Sequence, residues 1–227
     1  MAPPTKPPPV RARRRSTDDT RLALIRAAET LFASKGHDAV SLREVSVVAG
    51  QSNNSAVLYH FGSREALIDA VLERHSAPIQ QRYVAQLEAL ERHGGLSARA
   101  LVEVLVLPIV AKLDDDDGGF AYISLCAQLS VSPHLPLVGR SVASTPEVVQ
   151  LSIAMAAYFT APPELMLFRM ERLANTMYAS LVAFKRLDDV GAAAVSRTAF
   201  VSDLVDGMVD LLTRPASAQT TTALELA

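Results

Sequence analysis

The residues best suited to do chemistry in this 227-residue chain lie close together, in the run Ser52-Asn53-Asn54-Ser55 followed by Tyr59 and His60. Amide side chains pair with adenine edges, and hydroxyl and imidazole groups reach phosphate oxygens, so this set is suited to reading a nucleic acid. Taken singly, His60 reads more often as a packing or surface histidine, and Tyr59 equally as a ring buried between helices. The other reactive types point to no chemistry. His75, His93 and His134 show no metal-ligand spacing, and the run Asp114 to Asp117 reads as a solvated loop. Cys126, the single cysteine, has no nearby histidine and reads as an inert buried thiol. No phosphate-binding glycine loop, nucleophile elbow or zinc-binding helix signature is present. The expectation is recognition rather than catalysis: no metal, no cofactor and no catalytic residue.

Such residues must be presented by rigid elements. Leu24, Ile25, Ala28, Leu31 and Phe32 recur at helical spacing from Thr20 to Lys35, and Gly36 ends the run. Ser41-Leu42-Arg43-Glu44 has the form of a capping box and opens a short helix with Leu42, Val45, Val48 and Ala49 on its buried side. Gly50 ends it, and a third helix runs to about His60. Ser63 caps a fourth helix carrying Ala66, Leu67, Ala70 and Val71, with Pro78 expected to kink or interrupt it. Three short helices with a tight glycine turn between the second and third form a helix-turn-helix pattern. In that arrangement one helix crosses the DNA backbone and the next lies in the major groove, whose width of roughly 12 Å admits a helix.

The stretch Thr20 to Arg74 resembles the DNA-binding domain of the TetR family of bacterial transcription regulators. The residues that carry the likeness are Ala27-Ala28-Glu29-Thr30-Leu31-Phe32 with Gly36, Ser41-Leu42-Arg43-Glu44-Val45, Ala49-Gly50, and Leu58-Tyr59-His60-Phe61-Gly62-Ser63-Arg64-Glu65-Ala66-Leu67. The resemblance implies DNA contacts from Ser41, Arg43, Tyr59, His60 and Arg64. One departure stands out: between Gly50 and Phe61 the chain holds one residue more than the common family pattern, with Asn53-Asn54-Ser55-Ala56-Val57 in place of the usual segment. Ser52, Asn53, Asn54 and Ser55 are therefore assigned to base reading collectively, with Asn54 and Ser55 first.

The net charge of −2 divides unevenly. Residues 1 to 77 hold eleven basic and eight acidic side chains, and residues 78 to 227 hold eleven and sixteen, giving +3 and −5. Five prolines in Met1 to Pro9 and Arg11, Arg13, Arg14 and Arg15 after them mark a mobile arm that either tracks phosphates or serves as a solubilising tail. With 49% hydrophobic residues the chain is too apolar for a disordered protein, and the scarcity of aromatic residues, at 5%, argues against a β-sandwich or barrel. No apolar stretch reaches the roughly 20 residues of a membrane span, no secretory signal is visible, and one cysteine forms no internal disulfide. A cytoplasmic protein without membrane contact is expected.

The rest reads as helices over Leu96 to Leu113, Gly119 to Val131, Pro146 to Phe159, Pro163 to Lys185 and Ser196 to Leu212, with a frayed tail from Ala216. The fold expected is all-α: a basic arm over residues 1–19, a DNA-binding domain over 20–77, a helical domain over 78–214 and a tail over 215–227. Leu173, Met177, Leu181 and Phe184 form one apolar stripe and Phe200, Leu204, Met208 and Leu211 another. Such stripes bury against other helices of the chain or of a second copy. The resemblance implies the second, a homodimer joined through its last two long helices, with two recognition helices reaching half-sites about 34 Å apart. It also implies an effector site, for which Phe120, Tyr122, Met155, Phe159, Met166, Met170 and Tyr178 are candidates for lining an apolar cavity. The function expected is a ligand-responsive repressor of palindromic operator DNA, released by an apolar or amphipathic small molecule. The alternative is an all-helical small-molecule binding protein or enzyme without DNA binding.

Overall fold

Serine does much of the punctuation in this chain. In the computed structural model, which describes residues 17–51, 55–132 and 145–226, the hydroxyls of Ser41, Ser63, Ser97, Ser196 and Ser217 each accept from the backbone N–H three residues on. Each of these contacts satisfies one otherwise orphaned donor and opens a helix. The helices are α1 (Thr17–Lys35), α2 (Leu42–Val48), α3 (Ala56–Phe61), α4 (Arg64–His93), α5 (Ala98–Val110), α6 (Gly119–Leu129), α7 (Pro146–Ala156), α8 (Pro163–Asp189), α9 (Arg197–Thr213) and α10 (Ala218–Glu225), with a 3-10 turn at Ala111–Asp114. No strand occurs among the described residues, in line with the all-α expectation.

Several boundaries differ from the sequence expectation for identifiable reasons. The first helix opens at Thr17, inside the span expected to be an arm, with Asp18 and Asp19 in its first turn where carboxylates suit the helix dipole. Pro78 does not interrupt α4, which runs on to His93. Its ring lies on the exposed side, while Leu72, Ile79, Tyr83 and Leu87 are buried on either side of it and hold the helix to its neighbours. Val48 is 55% exposed rather than buried, so Val45 and Ser46 make the inner side of α2. The C-terminal stretch is not frayed: Ser217 caps α10, although that helix buries none of its residues.

α1 packs on α2, α4 and α6, and α4 continues from this DNA-facing unit to pack on α5 and α7. α6 packs on α8 and α5 on α9, which places the stripes of the last two long helices inside the chain. Leu173, Met177, Leu181 and Phe184 are buried, as are Leu204 and Met208. Phe200 stacks on Phe184 with ring centroids 4.3 Å apart, and Leu211 is half-buried. Six of the eight residues expected at a surface for a second copy are thus buried within the chain itself, and Phe200 and Leu211 are half-buried against them. Helical spacing of apolar residues marks what is buried and says nothing of which chain covers it.

The residues expected to line an effector cavity lie in several different environments. Tyr122 and Tyr178 are buried beside the Cys126 thiol. Burial raises both phenols well above their ordinary value and pushes the thiol up to about 12, so Cys126 is the inert group expected. Phe120 is half-buried beneath the Lys185 ammonium, 5.9 Å from its ring centre. Met166 and Met170 are half-buried. Met155 and Phe159 share a crevice of about 10 Å³ between α5, α7 and α9, far below the several hundred Å³ of a ligand pocket. An open cleft of about 800 Å³ between α8, α9 and α10 is lined by Leu165, Arg169, Leu211 and Arg214, and by none of the seven expected residues.

Candidate nucleic-acid interface

The interface rests on α2 and α3, which pack on each other and, through α1 and α4, on the buried side chains of Leu24, Phe32, Leu67 and Val71. Two glycines set their directions. Gly50 at φ +72° ends α2 and Gly62 at φ +77° caps α3, a backbone region that L side chains adopt only at a cost. Ser41 holds the start of α2 by accepting from the Glu44 N–H, and Lys35 donates to the Glu44 carboxylate across from α1. That hydrogen bond holds the Glu44 carboxyl below its usual range.

On this scaffold Arg43 is exposed, and Tyr59 is 81% exposed on a short helix whose inner side is carried by Ala56 and Val57. An exposed phenol of that extent is not the ring buried between helices that the sequence also allowed. His60 is half-buried, with its ring edge-on to Tyr59 at 5.1 Å, and Ser41 and Ser55 are exposed. Ser52, Asn53 and Asn54 lie outside the described residues.

Arg64 behaves differently from its expected role. Its guanidinium donates to the carbonyls of His37 and Val40, the first at 2.6 Å, and so ties the start of α4 to the loop between α1 and α2. A cation at a helix N-terminus opposes the dipole, and these two carbonyls compensate it. The structure therefore gives Arg64 a clamp within the protein, with its donors engaged there rather than on a phosphate. Nothing in the sequence singles out Arg21. Its guanidinium lies 5.1 Å from the Phe61 ring centre, placing an additional cation beside the end of α3. Forty residues separate the two, and no local pattern announces a pairing made by the tertiary fold. Val47, Val48 and Leu58 are likewise exposed, and offer methyl groups of the kind that meet thymine methyls.

Among the described residues no cluster of histidine, cysteine or carboxylate side chains is arranged to hold a metal ion, and no helix is long and apolar enough to cross a membrane.

A short capped helix presenting an exposed tyrosine, set across a glycine turn from a second helix with an exposed arginine, is the construction of a helix-turn-helix DNA-binding unit. Residues 24–71 match the profile of the bacterial regulatory proteins of the tetR family. Over 92 residues, 38% of this chain, it is 30% identical to the HTH-type transcriptional repressor Rv3405c of Mycobacterium tuberculosis and to the HTH-type transcriptional regulator Mb3439c of Mycobacterium bovis. The match spans about half the length of those relatives, 48% in each case. In fold, the chain is similar to a TetR family transcription regulator from Marinobacter aquaeolei VT8, with a TM-score of 0.55 and 14% identity over 86% of this chain and 96% of that one. A tetR family protein from Shewanella sp. PV-4 matches with a TM-score of 0.58 and 16% identity, over 83% of this chain and 97% of that one. The likeness to the tetR family of bacterial regulatory proteins is carried by the N-terminal unit, over residues 24–71.

Proposed function

We propose that this protein is a homodimeric, ligand-responsive transcription regulator, most simply a repressor of palindromic operator DNA. The observation that carries the reading is the exposure of Tyr59 and Arg43 on two short helices whose inner sides are buried. Ser41, Tyr59, His60 and Ser55, with the undescribed Ser52, Asn53 and Asn54, form the contact set. The +3 excess of residues 1 to 77 favours the phosphate backbone.

A second copy supplies the other half-site. Because the apolar stripes of α8 and α9 are spent inside the chain, the surface available to it is the outward side of these helices. There Thr176, Ala179 and Ala183 on α8 are exposed, and their short side chains let a partner helix approach closely. An amphipathic effector widens the crevice beneath Met155 and Phe159 by parting α7 from α4 and α5, and its preference for that state shifts the separation of the two DNA-binding units.

Selection of bound fragments from the source genome with the full chain, followed by affinity over a salt series, tests the reading. Tyr59→Ala and Arg43→Ala are expected to weaken the selected sites while leaving the fold unchanged. If Arg43 meets a phosphate, its removal lowers the slope of log affinity against log salt by about 0.9. Affinity no higher than for a random duplex, unchanged in both variants, would sink the proposal. An Ala179→Arg variant that keeps the dimer mass of the wild type would remove the assigned interface.

A further inference from the structure

Three segments meet at a cluster of charges that the DNA-contact set does not use. Glu29 of α1 is 4% exposed and accepts from Arg74 of α4 with both oxygens, at 3.1 and 2.9 Å. The same carboxylate accepts from Nε2 of His75, which is 2% exposed and packs its ring against Tyr122 at 5.0 Å. Nδ1 of His75 lies 3.2 Å from the Lys112 ammonium, which also donates to Asp115 at 2.7 Å. Nε2 of His75 also lies 2.9 Å from the Arg74 guanidinium, so the ring is held between Glu29 and Arg74 on one side and Lys112 on the other. Arg74 donates onward to the Asp117 carbonyl at 2.9 Å and pairs with the Asp117 carboxylate, which Arg26 reaches at 3.2 Å. Three cations, Arg26, Arg74 and Lys112, thus face three anions, Glu29, Asp115 and Asp117. The run Asp114 to Asp117 is solvent-exposed apart from the half-buried Asp115, and it is tied to the chain by ion pairs as well, with Asp114 paired to Arg197.

Gly118 closes the cluster. A Cβ there would fall inside van der Waals contact of the Glu29 carboxylate, so the start of α6 approaches α1 more closely than any other residue would allow. At its far end, α6 is tied to the same helix again. Gln128 donates to the Phe32 carbonyl at 3.0 Å and accepts from the His37 N–H at 2.8 Å. α6 therefore lies along α1, pinned at both ends, and the DNA-facing unit is fixed to the helical body by polar contacts of defined geometry in addition to apolar packing.

We infer that this charge-balanced clasp is the joint through which the helical body sets the orientation of the DNA-binding unit, and that Glu29 is its positioning residue. Apolar contacts tolerate sliding, whereas a buried carboxylate holding a guanidinium and an imidazole at once has one arrangement in which all partners are satisfied. The inference rests on the DNA-binding reading for its consequence and on the described contacts for its geometry.

Two variants of the full chain test it: Glu29→Gln, which keeps the shape and removes the charge, and Lys112→Met, which removes the donor to His75 at the edge of the cluster. The first readout needs no DNA. Calorimetry is expected to give one unfolding transition for the wild type and two for the variants, because the unit and the body lose their joint. The second readout is affinity for selected operators with one base pair added between the half-sites. The wild type discriminates against the altered spacing, and the variants lose about fivefold of that discrimination, the low end of ordinary coupling. A purely local structural role would weaken all spacings equally. A single transition together with an unchanged spacing preference in both variants overturns the inference. Should the wild type select no DNA, the proposed function falls while calorimetry still decides the joint.

Discussion

Arg64 separates two readings of the same residue, and its replacement by alanine distinguishes them. As a phosphate ligand it would matter only with DNA bound. As the structure has it, the guanidinium spans the carbonyls of His37 and Val40, in a loop whose side chains at both positions are buried. A hydrogen bond to a charged group contributes about 1.5–3 kcal/mol, so two give an upper bound of about 3–6 kcal/mol. Arg64 is half-buried, and water can reach part of the loop once the side chain is gone, which brings the expected loss to about 2–3 kcal/mol. For a chain of this size each kcal/mol moves the melting temperature by about 2–4 °C, so a fall of about 4–12 °C is expected. Denaturant unfolding followed by circular dichroism measures the stability, and a DNA salt series taken well below the melting temperature measures phosphate contact. The clamp predicts the stability loss with an unchanged salt slope. A stability change under about 0.5 kcal/mol together with a slope reduced by about 0.9 would refute the clamp and return Arg64 to the DNA.

Other consequences are equally direct. Leu181 is fully buried against its own chain, so Leu181→Ala should cost about 2–5 kcal/mol of stability at every protein concentration; a change confined to oligomeric mass would mean the stripe faces a second copy after all. With the Cys126 thiol pushed up to about 12, only about one part in ten thousand is thiolate at pH 8, and iodoacetamide should label the protein on unfolding and not before. The Arg197 guanidinium holds the Asp114 carboxyl below its ordinary value of 3.8. Its folded value lies below the unfolded one, so the stabilisation is present above about pH 4 and is lost as pH falls through the lower folded value. Arg197→Gln should flatten that acid limb in a pH titration of stability, and an unchanged limb would contradict the pairing.

How much of this is legible in the residue order depends on whether the relevant physics is local. Ser41 with Glu44, Gly50, Ser63 and the apolar spacing of Leu24, Ile25, Leu31 and Phe32 act within a turn or two of chain, which is why the first four helices and the DNA-facing segment can be read directly. Pro78 defeats a local reading, because whether it breaks a helix depends on which side its ring takes and on what packs beside it.

The sequence by itself determined the all-helical class, the helix-turn-helix unit and the excess of positive charge at its end of the chain, since capping, periodicity and formal charge belong to the residues themselves. Only the tertiary structure decided what each stripe and each charge is spent on. Leu173 to Phe184 and Leu204 to Met208 were absorbed into one core because α6 and α5 came to lie against them. Tyr122 and Tyr178 were enclosed in the core beside Cys126. Arg64 turned to two backbone carbonyls, and Glu29, Arg74, His75 and Lys112, drawn from positions 29 to 112, met in one clasp. Partnerships of this kind are chosen by desolvation and geometry across long separations in the chain, and no local spacing encodes them.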